Sequence, residues 1–439
     1  MDKLKWIVGI VIVGFWACDP KEDPTPDPTG LEVKQAIFES MNEWYYWNEE
    51  LPATVDYSKF ASNEDLLDGI IFKPLDRFSY LTTQEDFNNA FVGRNAGHGF
   101  GFAFTADEKL YVSFVFDESP AGKDGWKRGW EITAINGKPL ADYKTSTGSY
   151  DFKLGGPDPG ISNSFTFKLP DGTTTTRTNV KAEYQSNSVL DQRVFELGGK
   201  KVGYWAYHSF KATAGLNPTR SAEVQTSMEY FQNQGIQELI IDLRYNGGGS
   251  VAVAEQIGNY LIQTANSGKL MYTNKLNSQK TSQNTSKNFS KIGNLNLTRL
   301  IFITSRGSAS ASELVINNLD PYFDIVLIGD NTYGKPVGSF PLSRYNRVLE
   351  TNNVELVPIT FATANSEGKA EYFEGFPANF SVGDSPQFAW GDAKDLRLAA
   401  ALQFVQNGNV SGRMLDTYFK PKWEMIDAFK GLQQEFPVY

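Results

Sequence analysis

Residues 301–313, IFITSRGSASASE, decide the fold of the region around them. The β-branched and aromatic run at 301–304 predicts a buried strand, and the glycine and serine that follow turn the chain into a segment with the apolar period of a helix. Ser310 stands where this helix begins and Glu313 follows three residues later, so the pair predicts a capping box. The stretch therefore predicts a strand, a turn and a helix that present a serine hydroxyl beside anion-stabilising amides.

A helix cap is the simplest use of such a serine, and a second stretch favours chemistry instead: residues 330–335, DNTYGK. A serine hydroxyl becomes a good nucleophile only when a base removes its proton. A lysine can be that base when it is neutral, which requires apolar surroundings without water. Lys335 follows an apolar strand predicted at 325–328 and the Gly329 turn, so its amine is expected to be buried, and a surface lysine is the alternative.

The chain contains only two histidines, His98 and His208, which limits the other candidates for the base. A Ser-His-Asp site needs a histidine beside the nucleophile and an acid to hold it. His98 lies in a glycine-rich loop far upstream of Ser310. His208 follows a strand predicted at 202–207 and is the remaining rival, although a lone histidine at a strand end is more often a polar surface residue.

Residues 239–249, LIIDLRYNGGG, provide a candidate for the oxyanion stabilisation that acyl transfer requires. The apolar residues predict a buried strand, and the three glycines would let the backbone approach a ligand closely. Strands that end in glycines also occur in nucleotide-binding loops. No G-K-[ST] follows here, which disfavours a phosphate site.

Together these segments resemble the carboxyl-terminal processing peptidases, also called tail-specific proteases. The nucleophile of that family is the middle serine of an S-A-S-A-S-E run, here Ser310, and its general base is the lysine of a T-[FY]-G-K segment, here Lys335. The resemblance implies a Ser-Lys dyad that acts through an acyl-enzyme without a metal or other cofactor. Many members carry a glutamine four residues after the lysine. Ser339 stands there in this chain, and Ser339, a water molecule or Ser305 could orient the amine.

The family also carries a D-L-R-x-N-x-G-G segment, which residues 242–249 match. By this resemblance the amides of Gly248 and Ala311 would form the oxyanion hole. The resemblance further implies a supporting role for four residues of the matching segments: Glu313, Thr332, Arg244 and Asn246.

Residues 97 to about 180 resemble the PDZ domain that these proteases contain, on the segments GHGFGFAF and SPAGKDGWKRGWEITAINGKPL. In such domains a glycine-rich loop binds the terminal carboxylate of a peptide, which then adds as a strand to the sheet edge. The peptide-binding residues would be Gly97, His98, Gly99, Phe100, Gly101 and Phe102. Trp126 and Trp130 replace more usual residues and are expected to pack in the core.

Length and charge set the wider frame. The chain has 439 residues and a net charge of −10. A chain of this length should divide into about three domains. The acidic balance, without any basic stretch, argues against nucleic acid as a partner, and no cluster of zinc ligands occurs in the sequence. A polar stretch at 274–296 has no apolar period and predicts a long loop near the cleft.

The first residues predict export. Lys3 and Lys5 precede an apolar run at 6–17 that is too short to span a membrane comfortably and is typical of a signal peptide. The run stops at Cys18, the only cysteine, in a segment that resembles a bacterial lipobox. Cys18 is therefore expected to be lipidated and to anchor the protein to a membrane of the cell envelope, on the periplasmic or outer side. An ordinary secretory signal and an uncleaved anchor are the alternatives.

These observations predict an order of domains along the chain: signal peptide 1–18, proline-rich acidic linker 19–30, N-terminal helical region 31–92, PDZ domain 93–182, serine protease core 183–408 and C-terminal extension 409–439. The core is expected to be an α/β fold, a mixed sheet with helices between strands, and the resemblance implies a ClpP/crotonase-like type. The expected function is a serine endopeptidase that captures unstructured protein C-termini and cleaves near them. A lipoprotein that only binds peptides, and an esterase or amidase for small molecules, are the competing classes.

Overall fold

The computed structural model describes residues 30–215, 218–412 and 431–436. The α-helices among these residues are α1 (Leu31–Trp44), α2 (Asn63–Ile70), α3 (Gln84–Val92), α4 (Pro120–Lys123), α5 (Ala222–Gln234), α6 (Val251–Leu261), α7 (Ala311–Leu319), α8 (Arg347–Thr351), α9 (Leu396–Asn407) and α10 (Leu432–Glu435). The strands are β1 (Tyr80–Thr82), β2 (Arg94–Gly97), β3 (Phe100–Phe104), β4 (Leu110–Val115), β5 (Glu131–Ile135), β6 (Lys138–Pro139), β7 (Ser162–Lys168), β8 (Thr174–Val180), β9 (Ala182–Gln185), β10 (Val189–Leu197), β11 (Lys200–Tyr207), β12 (Glu238–Asp242), β13 (Leu270–Lys275), β14 (Thr285–Asn288), β15 (Arg299–Thr304), β16 (Ile325–Gly329), β17 (Val337–Gly338), β18 (Glu355–Val357), β19 (Phe361–Ala364) and β20 (Phe380–Ser381).

A six-stranded sheet in the order β10-β11-β12-β15-β16-β20 forms the centre of the α/β core. Strands β11, β12, β15, β16 and β20 run parallel, and β10 pairs antiparallel with β11. The apolar runs predicted as strands are buried because helices cover both faces: α5, α6 and α7 on one face and α9 on the other. The predicted mixed sheet with helices between its strands is confirmed, and the strand, turn and helix around Ser310 lie in it as β15 and α7.

A second, four-stranded antiparallel sheet in the order β14-β13-β19-β17 lies beside the core. It corrects the expectation of a long loop at 274–296, because β13 runs into this stretch and β14, within it, pairs with β13. Every residue of β14 is exposed. An exposed edge strand buries no apolar face, so its sequence carries no period that could reveal it.

The N-terminal helices pack on the segment that contains β17 and β18. Ile37 of α1, Leu66 of α2 and Leu356 of β18 belong to one buried cluster. Asp76 fixes the segment that follows these helices, because it accepts a hydrogen bond from Tyr45 Oη at 2.7 Å and two more from the amides of Phe78 and Ser79. The chain then enters β1, which pairs with β18. The region is thereby attached directly to the part of the core that carries Lys335.

An antiparallel β-domain is inserted between the helical region and the core. The chain enters it through β2 and leaves it through β9, and these two strands pair with each other. Between them lies a sheet in the order β3-β4-β5-β7-β8, in which β3 is an edge strand. Phe100, Trp126 and Phe165 are among its buried core residues, so the expectation that Trp126 packs inside is confirmed.

A buried arginine cluster attaches the inserted domain to the central sheet. Arg128 of the inserted domain forms an ion pair with Asp395, 3.1 Å between Nη2 and Oδ2. Arg244, which follows β12, pairs with the same Asp395 and with Asp242 and Asp384, at 2.7 to 2.9 Å. Buried charges are tolerated only when they are paired in this way. The segment after β12 and the inserted domain are therefore held by one shared set of carboxylates.

Candidate active site

Ser310 lies in the turn between β15 and α7, with a backbone φ of 56° and ψ of −113°. A non-glycine residue in such a sparsely populated region costs about 1–3 kcal/mol, and residues of this kind cluster at functional sites. Ser310 is half-buried, whereas every residue of α7 is buried. The fold therefore presents this serine, and not its neighbours in the helix, at the surface of the core.

The carboxylate of Glu313 joins the serine turn to the segment that carries the lysine. Its Oε2 accepts the amide of Ser310 at 3.0 Å and the amide of Lys335 at 2.8 Å. Its Oε1 accepts the hydroxyl of Thr332 at 2.6 Å and the amide of Gly334 at 2.7 Å. Burial raises the pKa of Glu313, while these four hydrogen bonds lower it. The backbone nitrogens of Ser310 and Lys335 are thus both bonded to one oxygen atom, which brings the two predicted residues together.

The lysine loop, residues 332–335, is packed tightly against the segment 373–375. Gly334 has a φ of 97°, and a Cβ at this position would lie 2.1 Å from the carbonyl oxygen of Phe373, so only glycine fits. Lys335 is 7% exposed, and its Nζ lies 5.8 Å from the centroid of the Phe78 ring. The expected burial of Lys335 is confirmed, and the surface-lysine alternative is wrong.

Two arginines that the sequence did not single out hold the carbonyls of the lysine loop. Arg77 Nη2 donates to the carbonyls of Tyr333 and Gly334, both at 3.3 Å, and Arg306 Nη1 donates to that of Thr332 at 2.8 Å. The guanidinium of Arg77 also lies 5.0 Å from the centroid of the Tyr333 ring. The carboxylate of Glu313 binds amides of this loop, and the two arginines bind its carbonyls. The loop is therefore held by an anionic group and by cationic groups.

Gly248 and Ala311 lie beside the backbone of Ser310. A Cβ on Gly248, whose φ is 117°, would be 2.8 Å from Ser310 Cβ and 3.1 Å from the Ala311 nitrogen. The structure therefore brings together the two residues whose amides the resemblance assigns to the oxyanion hole. In this arrangement the Gly248 amide donates to Asn246 Oδ1 at 2.9 Å. Ala311 is the first residue of α7, where backbone amides have no acceptor within the helix.

Asn246 connects three elements around the serine turn. Its carbonyl accepts the Ala309 amide at 3.1 Å and the Ser312 hydroxyl at 3.0 Å, and its Nδ2 donates to the Tyr207 carbonyl at 2.9 Å. Asn246 thus ties the segment after β12 to the start of α7 and to the end of β11. Its expected supporting role is structural, as is that of the buried Arg244.

Two further residues were candidates for orienting or replacing the lysine. Ser339 directly follows β17, four residues after Lys335, and is half-buried. The ring of His208 packs against Phe114 and Phe116, with centroids 4.4 and 4.9 Å away, and is 2% exposed. Packing between aromatic rings accounts for His208 without a role as a base.

The glycine-rich segment of the inserted domain differs from the predicted peptide-binding loop. Gly97 ends β2 and Phe100 begins β3, so the turn consists of His98 and Gly99 alone. Phe100, Gly101 and Phe102 belong to β3, and the Phe100 ring is buried in the domain core. Alternate side chains of a β-strand point to opposite faces of the sheet, and the neighbouring glycines do not indicate which side chains point into the core.

His98 is a correction to the predicted binding residues. Its Nδ1 lies 2.7 Å from Asn179 Oδ1 and its Nε2 lies 3.1 Å from Asn163 Nδ2, and the side chain is fully buried. Burial lowers the pKa of His98 to about 4, so the ring is neutral at pH 7. Its side chain supports the inserted domain instead of facing a ligand.

Several predicted features lie beyond what the structure describes. Cys18 and the predicted signal peptide and linker lie outside the described residues. Within the described ranges, no helix is long and apolar enough to cross a membrane. Nor do the histidine, cysteine, aspartate and glutamate side chains of those ranges form a group of three that could hold a metal ion.

A strained serine at the helix N-terminus that follows a central strand of a mainly parallel sheet is an arrangement that suits a serine hydrolase with an α/β core. Comparison with known proteins narrows this class to a family. Residues 32–80 match the Peptidase S41 N-terminal domain, and residues 201–352 match Peptidase family S41. The chain therefore carries Peptidase S41 family domains, and its homologues include proteins named carboxyl-terminal processing protease.

Curated relatives agree with this assignment over part of their length. The carboxyl-terminal-processing peptidase 3 of Arabidopsis thaliana is 24% identical over 281 residues, which cover 59% of this chain and 50% of the relative. The carboxy-terminal processing protease CtpB of Bacillus subtilis is 25% identical over 299 residues, 64% of this chain and 56% of the relative. The chain thus spans little more than half the length of these proteins.

The fold also matches a solved structure. A crystal structure described as an S41 protease from Bacteroides fragilis superposes with a TM-score of 0.67 at 23% identity and covers 84% of this chain and 96% of its own. At this identity the likeness establishes the S41 protease fold and nothing more specific.

Proposed function

We propose that this chain is a serine endopeptidase in which Ser310 is the nucleophile and Lys335 the general base. Ser310 Oγ attacks the peptide carbonyl while Lys335 Nζ takes the hydroxyl proton. The proton then passes to the leaving amine, the C–N bond breaks and an acyl-enzyme forms. Lys335 Nζ then deprotonates a water molecule, which attacks the acyl-enzyme. The acyl group leaves as a carboxylic acid and the proton returns to Ser310 Oγ. The observation that carries the proposal is the Glu313 carboxylate, whose one oxygen binds the amides of both residues.

In this proposal Glu313 positions the lysine loop, because its carboxylate binds the Thr332 hydroxyl and the Lys335 amide, and Ser339 stays a candidate for orienting the amine itself. The Ala311 amide supplies one donor to the oxyanion, and a Gly248 amide released from Asn246 supplies the second. Hydrogen bonds of a catalytic site often form fully only when the substrate is present. The resemblance further suggests a ClpP/crotonase-like core, with which the parallel sheet agrees.

The substrate is proposed to be an unstructured protein C-terminus held by the inserted domain, which would be a PDZ domain. The position of β3 at the edge of its sheet supports this proposal, because a peptide can add to an edge strand as a further strand. Amidation of the terminal carboxylate of a peptide substrate should then raise its KM. Equal KM values for the free and the amidated peptide would remove the PDZ assignment and leave the dyad intact.

The sequence of the first residues supports a proposal for the location of the protein in the cell. A lipid on Cys18 would hold the enzyme at a membrane of the cell envelope, where it would meet exported proteins. Expression in the presence of a clickable palmitate analogue should label the wild-type chain and not a Cys18→Ser variant. Equal labelling of both chains would contradict lipidation at this residue.

The experiment that tests the catalytic proposal compares four variants on an unfolded protein substrate. Ser310→Ala and Lys335→Ala should each abolish fragment formation. Ser290→Ala and Lys369→Ala are controls for the serine and the lysine, and both should cleave like the wild type, since Ser290 is exposed and Lys369 is an exposed lysine paired with Asp320. Full cleavage by Lys335→Ala, with loss in His208→Ala, would transfer the base to the histidine.

A further inference from the structure

A cleft of about 1460 Å³ lies between the N-terminal helical region and the strands that connect the inserted domain to the core. Tyr333 of the lysine loop, two residues before Lys335, lines it on one side. Asn95 and Ala96 of β2, directly before the His98 turn, line it on another. The cleft thus borders both the lysine loop and the strand that leads toward β3, so it offers a path for a tail that is held at β3 and reaches Ser310.

A segment of the chain itself already lies in this cleft. Residues 431–436, here called the strap, contribute Gly431, Leu432, Gln433 and Phe436 to its lining. The Phe436 side chain is 5% exposed, and its ring meets the ring of Phe91 edge-on, with centroids 5.1 Å apart. Gly431 lies against Tyr80, since a Cβ there would be 3.0 Å from Tyr80 Cβ.

The described side chains of the strap centre on one aromatic residue. Phe436 is its buried aromatic anchor, Leu432 is half-buried, and Gln433 is exposed. α10, which the strap contains, is a four-residue helix, and one so short is not stable by itself in water. A segment held in this way can be displaced by another chain that offers a comparable apolar side chain to the same place.

We propose that the strap competes with substrate for this cleft, so that the protease binds a tail only after residues 431–436 have left it. The proposal rests on the proposed function and adds a regulatory element to the same site. A competing segment lowers the fraction of molecules that can bind substrate, which raises the apparent KM and leaves kcat unchanged. A merely structural segment would affect thermal stability and kcat instead.

The first test is Phe436→Ala in the full chain. Loss of the aromatic anchor should lower KM for an unfolded substrate about tenfold at unchanged kcat. Phe87→Ala is the matched control, because the Phe87 ring also packs against Phe91, with centroids 4.6 Å apart, but Phe87 does not line the cleft. An unchanged or raised KM in Phe436→Ala, or the same fall in both variants, would overturn the proposal.

The second test does not depend on catalysis and so separates this proposal from the dyad. In a Ser310→Ala background, Phe436→Ala should bind a fluorescent unstructured peptide about tenfold more tightly than the parent. A synthetic peptide with the sequence of residues 430–439 should displace the probe, and the same peptide with alanine for phenylalanine should not. If neither peptide displaces the probe, the strap does not share the site, whatever the outcome for Ser310.

Discussion

Among the described residues, Lys211 and Lys335 are buried lysines that are each linked to a serine, and the surroundings of the two serines differ. Lys211 Nζ donates to Ser186 Oγ at 2.5 Å, and the two residues are 1% and 2% exposed. Lys335 is 7% exposed and is linked to Ser310 through Glu313. Judged by the burial of the lysine alone, the first pair would be the better dyad.

The surroundings of the two serines reverse this ranking. The Ser186 hydroxyl accepts from Lys211 and from Asn95 Nδ2 and donates to the Gly93 carbonyl, so its bonding capacity is used within the joint between α3 and β9. Ser310 is half-buried in a strained turn at the start of α7, with Gly248 beside it. Access and nearby amides for an oxyanion, more than a lysine contact, distinguish a site from a structural pair.

The largest expected effect sharpens this comparison through activity. Ser310→Ala should lower kcat by about 10⁴-fold or more, since removal of a nucleophile leaves only binding and the oxyanion donors. Ser186→Ala and Lys211→Met should cleave within about threefold of the wild type per folded molecule, because neither touches the reacting atoms. Initial rates on an unfolded protein, normalised by circular dichroism, provide the measurement. A loss of activity in folded Ser186→Ala comparable to that of Ser310→Ala would break the comparison.

The next effect concerns Glu313, which links Ser310 to Lys335 and has no counterpart between Ser186 and Lys211. Glu313→Gln should lower kcat about 100-fold, because an amide cannot accept all four donors that the carboxylate binds. Glu355→Gln is the matched control: Glu355 is also a buried glutamate, and it accepts the amide and hydroxyl of Ser343. Both variants should lose stability, but only Glu313→Gln should lose activity per folded molecule. Equal activities would show that Glu313 has no positioning role.

A smaller effect tests the burial of Lys211. Burial lowers the pKa of Lys211 from 10.5 to about 7, against the opposing charge of Glu223. The folded state therefore favours the neutral amine, whereas the unfolded state favours the protonated amine up to pH 10.5. The free energy of unfolding is accordingly highest above pH 10.5 and decreases as the pH falls toward 7. Relative to Lys211→Met, the wild type should lose about 2 kcal/mol of unfolding free energy between pH 9 and pH 7.

Urea unfolding at both pH values measures this difference, and Lys369→Met serves as the control for an exposed lysine. A pH-independent difference between wild type and Lys211→Met would mean that the Lys211 amine keeps its ordinary pKa in the folded protein.

The smallest effect concerns the arginine that holds the lysine loop from outside. Arg77→Met should lower kcat about fivefold, because it removes the donors to Tyr333 and Gly334 while keeping an apolar stem. Arg94→Met is the control, since Arg94 is another exposed arginine that lines the same cleft. A similar decrease in both variants would assign the effect to the charge of the cleft and not to the loop.

The sequence predicted the elements that carry the site because their signals are local. The apolar runs that became β12, β15 and β16 and the helix after Ser310 are each visible within a short window. The positive φ of Ser310 and the four hydrogen bonds to Glu313 were not visible, because they depend on how the lysine loop folds back over α7. Arg77 could not be found for the same reason, since it binds carbonyls that lie more than 250 residues away.

The error on His98 has a different origin. The glycines around it suggested a binding loop, while its actual partners, Asn163 and Asn179, come from later strands of the same domain. A glycine-rich motif indicates which backbone conformations are possible. It does not predict whether a side chain between the glycines points into the core or toward solvent. In the same way, the exposed β14 carried no apolar signal and was predicted as loop.

Labelling with a fluorophosphonate tests the central claim most directly, because the reagent phosphonylates an activated serine hydroxyl and releases fluoride. Peptide mass spectrometry should place the label on Ser310 in the wild type and in Ser186→Ala, and should find it strongly reduced in Lys335→Ala. A label on another serine, or undiminished labelling of Ser310 in folded Lys335→Ala, would contradict the account.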